Sequence, residues 1–101
     1  MIYYVDIDET ICEYLDKREY PLATPIAENI NKINNLYDSG HTVIYWTARG
    51  TQTGIDWTEL TQKQLKEWGA KYTELHLGKP HYDIFICDRA INSDIFFGEG
   101  V

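Results

Sequence analysis

The feature that most constrains this chain is a pair of aspartates, Asp6 and Asp8, at the end of its first apolar run. Ile2, Tyr3, Tyr4, Val5 and Ile7 are β-branched or aromatic almost without a break, which predicts a strand buried on both faces in the middle of a parallel sheet. Two carboxylates at the tip of such a strand are unfavourable: desolvation and mutual repulsion both oppose their ionised forms unless a cation neutralises them. A divalent cation meets that need, and open α/β sheets bind their ligands at the carboxyl ends of the strands. Aspartate is also common in ordinary turns, so the pair gains its meaning from the residues downstream of it.

The residues from Ile11 to Ala23 are mixed and polar and predict a turn and a short flap, irregular or hairpin, whose Tyr14 and Tyr20 either pack over the sheet, the favoured reading, or line a pocket. Thr24 as a cap and Pro25 at the first helical position predict a helix start. Ile26, Ile30, Ile33 and Tyr37 keep helical spacing until Gly40 closes the helix. Thr42 to Trp46 predicts a second buried strand, followed by Thr47, Ala48, Arg49 and Gly50. Asp56 and Glu59 have capping-box spacing before a helical face of Trp57, Leu60, Gln64, Leu65 and Trp68 that ends at Gly69. A short strand is expected at Tyr72 to Leu77, then an interruption at Gly78, Lys79 and Pro80. Tyr82 to Cys87 predicts a third buried strand with Asp88 at its tip, and Ile95 to Phe97 a short edge strand. Alternating strands and helices argue a single α/β domain over 1–101, a three-layer sandwich around a mostly parallel sheet.

At 101 residues there is material for a single core. The net charge of -7 repels nucleic acid and anionic membranes, so a phosphate-bearing substrate must be met by a local cation. No apolar stretch approaches the roughly 20 residues of a membrane helix, and the start lacks a basic leader, so a cytoplasmic location is expected. Cys12 and Cys87 have no metal-ligand spacing and are expected to be reduced structural thiols.

The segments DIDET, YWTARG, GKP and ICDRAINSD place Asp6 and Asp8, Thr47, Lys79 and Asp88 at element ends, in this order. That order resembles the four motifs of the haloacid dehalogenase (HAD) superfamily of phosphotransferases over nearly the whole chain. The resemblance implies a Rossmann-like sheet and a division of labour suited to phosphoryl transfer, in which positioning and charge stabilisation dominate. Asp6 matches the nucleophile that forms an aspartyl-phosphate, and Asp8 matches the general acid and base. Thr47 matches the residue that hydrogen-bonds the phosphoryl group, and Lys79 the one that offsets its charge. Asp88, with Asp6 and the backbone carbonyl of Asp8, matches the ligands of Mg²⁺, with Asn92 or Asp94 in support. Many relatives carry a second acid just before or four residues after the fourth-motif aspartate; here those positions are Cys87 and Asn92. Glu9 replaces the usual glycine of the first motif, a departure that bears on backbone geometry.

Arg49 has two readings that the sequence leaves open, a fork for a second phosphate or carboxylate of the substrate and an ion pair with one of the acids. Arg89 is the other candidate substrate contact. His41, His76 and His81 show no ligand spacing and are expected to be structural or surface residues. The intervals between motifs leave no room for a cap domain, so the site is either open or closed by a neighbour in a homo-oligomer. The expected function is a Mg²⁺-dependent phosphomonoester hydrolase acting on a sugar phosphate or similar small metabolite, because small capless relatives of this style resemble proteins found beside capsule and surface-polysaccharide genes. A polynucleotide 3′-phosphatase is the alternative, opposed by the acidic charge and the lack of a basic groove. A receiver domain is opposed by the order of the motifs, and a catalytically silent module by the presence of all four core motif residues.

Overall fold

The computed structural model describes residues 1–98. The elements in order are β1 (Ile2–Val5), β2 (Cys12–Glu13), a single 3₁₀ turn at Tyr20–Leu22, β3 (Thr24–Pro25), α1 (Ala27–Asp38), β4 (Thr42–Thr47), α2 (Thr58–Glu67), β5 (Glu74–Leu77) and α3 (Ser93–Gly98). The fold is α/β, with a three-stranded sheet in the order β1-β4-β5. Both pairings are parallel: Ile2 lies opposite Thr42 and Val5 opposite Tyr45, while Ile44 lies opposite Glu74 and Thr47 opposite Leu77. All three strands therefore end on the same side, where Asp6, Thr47 and Lys79 are found.

The central strand is the one whose sequence can tolerate burial on both faces. Val43, Ile44 and Tyr45 of β4 are all buried, and β-branched and aromatic side chains fill a pleated surface well. Parallel neighbours need a crossover, which α1 supplies between β1 and β4 and α2 between β4 and β5. Ile30 and Ile33 of α1 and Leu65 of α2 join Val5, Ile7, Ile11, Cys12, Val43 and Tyr45 in one core cluster. α1 is closed by Gly40 at φ +94°, a left-handed position that glycine adopts freely.

Several local expectations are corrected. Thr24 and Pro25 do not open the helix. They form β3, antiparallel to β2 in a two-stranded hairpin, and the Ile26 amide donates to the Ile11 carbonyl at 2.8 Å, which holds the chain extended until Ala27. Asp56 caps from one residue further out than a capping box requires: its Oδ1 accepts the Thr58 amide at 2.9 Å, and α2 begins at Thr58. Ile95 to Phe97 lies in α3 and not in a strand. Phe96 and Phe97 pack against the core, and the Lys32 ammonium donates to the Phe96 carbonyl at 2.6 Å while sitting 4.4 Å from its ring centre.

The largest correction concerns the sheet. β1 is an edge strand with Ile2 68% and Tyr4 59% exposed, and Tyr82 to Cys87 forms no strand, leaving Ile84 79% and Ile86 93% exposed. The cause is chain length. Only residues 78–81 separate β5 from Tyr82, whereas a parallel crossover needs on the order of a dozen residues. Among the described residues, no helix is long and apolar enough to cross a membrane.

Tyr45 is fully buried, and its hydroxyl has no hydrogen-bond partner among the described residues. An unsatisfied buried polar group costs about 1–3 kcal/mol, so Tyr45→Phe is expected to leave the fold unchanged and raise its stability by roughly 1 kcal/mol in urea unfolding. A loss of stability would contradict the absence of a partner for that hydroxyl.

Candidate active site

The carboxyl end of β1 presents two aspartates whose surroundings differ sharply. Asp6 Oδ1 accepts the Ile7 amide at 2.9 Å, and Oδ2 lies 3.6 Å from the Lys79 ammonium. Burial pushes the Asp6 carboxyl above its ordinary range; Lys79 and the Ile7 amide pull it back, and the charge of Asp8 raises it further. Lys79 is held by its backbone, which donates to the Thr47 carbonyl at 3.1 Å and accepts from Thr51 Oγ1 at 2.7 Å. Its ammonium also lies 5.8 Å from the Trp46 ring centre and 5.6 Å from that of Tyr82.

Asp8 is clasped by Arg49. The guanidinium Nε donates to Oδ2 at 3.1 Å and Nη2 to Oδ1 at 2.9 Å, a bidentate pair whose geometry suits the planar fork. Arg49 is only 2% exposed, and its Nη1 donates to Thr61 Oγ1 at 3.1 Å and to Gln64 Oε1 at 2.5 Å. Gln64 in turn donates to the Tyr20 carbonyl at 2.6 Å, while the Tyr20 ring lies under the guanidinium at 4.8 Å and edge-on to Trp57. The Tyr14 hydroxyl donates to Asp8 Oδ1 at 2.5 Å, and Cys12 Sγ approaches the same oxygen at 3.5 Å. Burial alone would raise the Asp8 carboxyl; the hydrogen bonds and charge of Arg49, with the Tyr14 and Cys12 donors, bring it below its ordinary value. The Cys12 thiol is pushed up to about 12 by burial and by Asp8, so it is inert at neutral pH.

Thr47 closes β4 with its side chain fully buried, and its Oγ1 accepts the Arg49 amide at 3.2 Å, which leaves the hydroxyl proton for a second group. The loop beyond it turns tightly at Gly50, where φ is +84° and a Cβ would fall 2.1 Å from the Ile55 carbonyl oxygen. On the other side of the site, Glu9 stands at φ +62°, a left-handed conformation that disfavours a side chain by roughly 1–2 kcal/mol. Among the described residues, Glu9 is the one non-glycine residue with positive φ.

The structure thus brings together Asp6, Asp8, Thr47 and Lys79. It does not bring Asp88 to them. The Asp88 side chain is 85% exposed and, among the described residues, meets only the Arg89 guanidinium at 3.8 Å and Cys87 Sγ at 3.8 Å. Arg89 is equally exposed, and Asn92 Oδ1 is occupied by the Asp94 amide at 2.9 Å at the start of α3. Among the described residues, no three histidine, cysteine, aspartate or glutamate side chains converge as a cation site. Of the two readings for Arg49, the geometry is that of the ion pair. His76 pairs with Glu74 at 2.6 Å on the surface, and His81 is exposed. Tyr14, one of the two aromatic residues of the flap, donates to the Asp8 carboxylate, while Thr61 and Gln64, which hold Arg49, carry no sequence signal, because their roles arise only when α2 folds over the β1 tip.

No protein-family model and no curated protein matches the chain. A crystal structure of a structural-genomics target from Vibrio cholerae, described without a function, aligns with a TM-score of 0.83 at 24% identity over 94% of this chain and 85% of that one. At that identity the likeness speaks to the fold alone.

Removing the Asp8 charge leaves the buried Arg49 without an anionic partner, with only the neutral Thr61 and Gln64 acceptors, so Asp8→Asn is expected to destabilise the fold by about 3–5 kcal/mol. The stability that Asp8 contributes is present above its unfolded value of 3.8 and is lost as pH falls through the lower folded value, and Asp8→Asn should lack that acid-side loss. Asp6 has the opposite sign: its raised folded value makes the ionised form a burden at neutral pH, so Asp6→Asn is expected to match or exceed the parent stability. Urea unfolding of both variants at pH 7 and at about pH 2, below the unfolded value of 3.8, measures this, and equal effects at the two positions would contradict the contrast.

Proposed function

We propose that the chain is a capless phosphomonoester hydrolase of the HAD type, acting in the cytoplasm on a sugar phosphate or similar small metabolite through an aspartyl-phosphate on Asp6. In this reading the sheet extends into the three-layer, Rossmann-like arrangement of that superfamily. The observation that carries it is the division between the two carboxylates: Asp6 has Lys79 and no strong clasp, whereas Asp8 is locked as an anion by Arg49.

An Asp6 oxygen attacks phosphorus, the bond from phosphorus to the ester oxygen breaks, and that oxygen departs with the bonding pair and takes its proton from water. Lys79, 3.6 Å from the same carboxylate, offsets the charge gathered on nucleophile and phosphoryl oxygens. Thr47 supplies its hydroxyl proton to one of those oxygens. In the second half, Asp8 accepts a proton from water as the water attacks phosphorus, phosphate leaves and Asp6 is regenerated. The clasp that lowers the Asp8 carboxyl keeps it ionised, which opposes the acid role in the first half and weakens it as a base in the second. Among sugar phosphates, esters whose leaving oxygen needs little protonation, such as anomeric phosphates, are therefore favoured.

The residues of one chain fit Mg²⁺ only in part. The raised Asp6 carboxyl is short of positive charge and welcomes a cation, and the Asp8 backbone carbonyl is the second donor expected, but the third donor, Asp88, is not beside them. When bound, the ion supplies charge neutralisation at the phosphoryl group.

The test is hydrolysis of p-nitrophenyl phosphate and a panel of sugar phosphates with Mg²⁺ or with EDTA. Asp6→Asn is expected to abolish phosphate release and Lys79→Ala to reduce kcat by roughly 10²–10³. Phosphate release that survives in Asp6→Asn would contradict the nucleophile assignment, and a rate indifferent to the leaving group would contradict the role given to Asp8.

A further inference from the structure

We infer that two copies of this chain exchange their Tyr82–Asp88 segments, each laid as a parallel strand along the free edge of the partner's β1, so that Asp88 of one copy stands beside Asp6 and Asp8 of the other. The strand exchange rests on the fold; the use made of Asp88 rests on the phosphatase reading.

Three observations meet here. The outer edge of β1 is unpaired among the described residues, with Ile2 and Tyr4 exposed beside it, and an open apolar edge is a template for another strand. The segment YDIFIC has the composition of a buried strand, yet Ile84, Phe85 and Ile86 are all exposed. The two acids at the β1 tip lack the third donor that a cation needs, and Asp88 comes directly after the unused strand.

The chain cannot satisfy its own edge with a parallel strand. From the end of β5, the outer side of β1 is three strand spacings away, about 14 Å, and the start of a parallel strand lies a further ~13 Å back along the sheet, a straight separation of roughly 19 Å. The five steps from Leu77 to Tyr82 span at most about 17 Å fully extended, and the straight line passes through the sheet itself. A second copy removes that restraint. Both existing pairings are parallel, and a parallel addition is the one that carries Asp88 to the tip where Asp6 and Asp8 lie.

The neighbouring elements are compatible with exchange. Lys79 stays at its own site, tied to Thr47, Thr51 and Asp6, so the chain pivots at Pro80 and His81. α3 is tied to Lys32 through the Phe96 carbonyl and ring and shares a cavity with Glu9, Thr10 and Asn29 just past the β1 tip, and the same seat on the partner lies next to where the exchanged strand ends. A short connection that cannot close on its own chain favours swapping. In the two-fold dimer, Ile84, Phe85 and Ile86 from each copy are covered together with both Ile2 and Tyr4 pairs. That buries on the order of 1,000–1,500 Å², close to the about 1,200–2,000 Å² of stable interfaces.

Sedimentation equilibrium of the full chain, alone and as Ile86→Asp, reads the exchange without using catalysis. A dimer that Ile86→Asp converts to monomers with unchanged circular dichroism is expected; a monomeric parent, or a dimer indifferent to Ile86→Asp, would overturn it. Asp6→Asn and Asp88→Asn chains carrying different tags, co-expressed and purified as the heterodimer, read the composite site. Exchange puts the intact Asp6 of one chain beside the intact Asp88 of the other, so the heterodimer is expected to recover about half the parent activity while each variant alone is inactive. A heterodimer that stays inactive beside an active parent would overturn the placement of Asp88, and an inactive parent would count against the phosphatase reading while the mass data still judge the exchange.

Discussion

The bidentate pair between Asp8 and Arg49 is the interaction on which the site depends. A buried guanidinium must find partners for its donors, and here it draws them from three places: Asp8 beyond β1, and Thr61 and Gln64 of α2. Through Gln64 and the Tyr20 ring it also fixes the flap. One cation thus joins the strand tip, a helix and the hairpin. Its stability contribution is modest in net terms, since a buried pair must first offset desolvation, but its disruption is severe. Its electrostatic effect is to commit Asp8 as an anion, while Asp6 is left without such a clasp.

How much could be read from the sequence depends on how local each signal is. β1, β4 and the body of both crossover helices were legible because runs of β-branched and aromatic residues and helical spacing need no knowledge of distant contacts. Asp6, Thr47 and Lys79 could be placed on one side of the sheet because each comes after a strand or closes one, and parallel strands end together. The helix starts were misplaced where tertiary bonds intervened, as at Ile26, whose amide is taken by Ile11. The role of Arg49 was undecidable from sequence, because both readings use the same guanidinium and only the folded position of Asp8, Thr61 and Gln64 separates them.

Tyr82 to Cys87 is a different kind of miss. Its composition is that of a buried strand, yet no strand forms there, because residues 78–81 are too few for a parallel crossover. The same shortfall leaves the outer edge of β1 exposed.

The central claim is that neighbouring carboxylates on one strand tip are set apart by their surroundings, Asp8 by Arg49 and Asp6 by burial beside a single lysine. Carbon-13 labelling of the aspartate carboxylates, with pH titration of the cation-free protein, measures this directly. The account predicts an Asp6 midpoint above the ordinary 3.8 and an Asp8 midpoint below it. Coincident midpoints, or the reverse order, would contradict it.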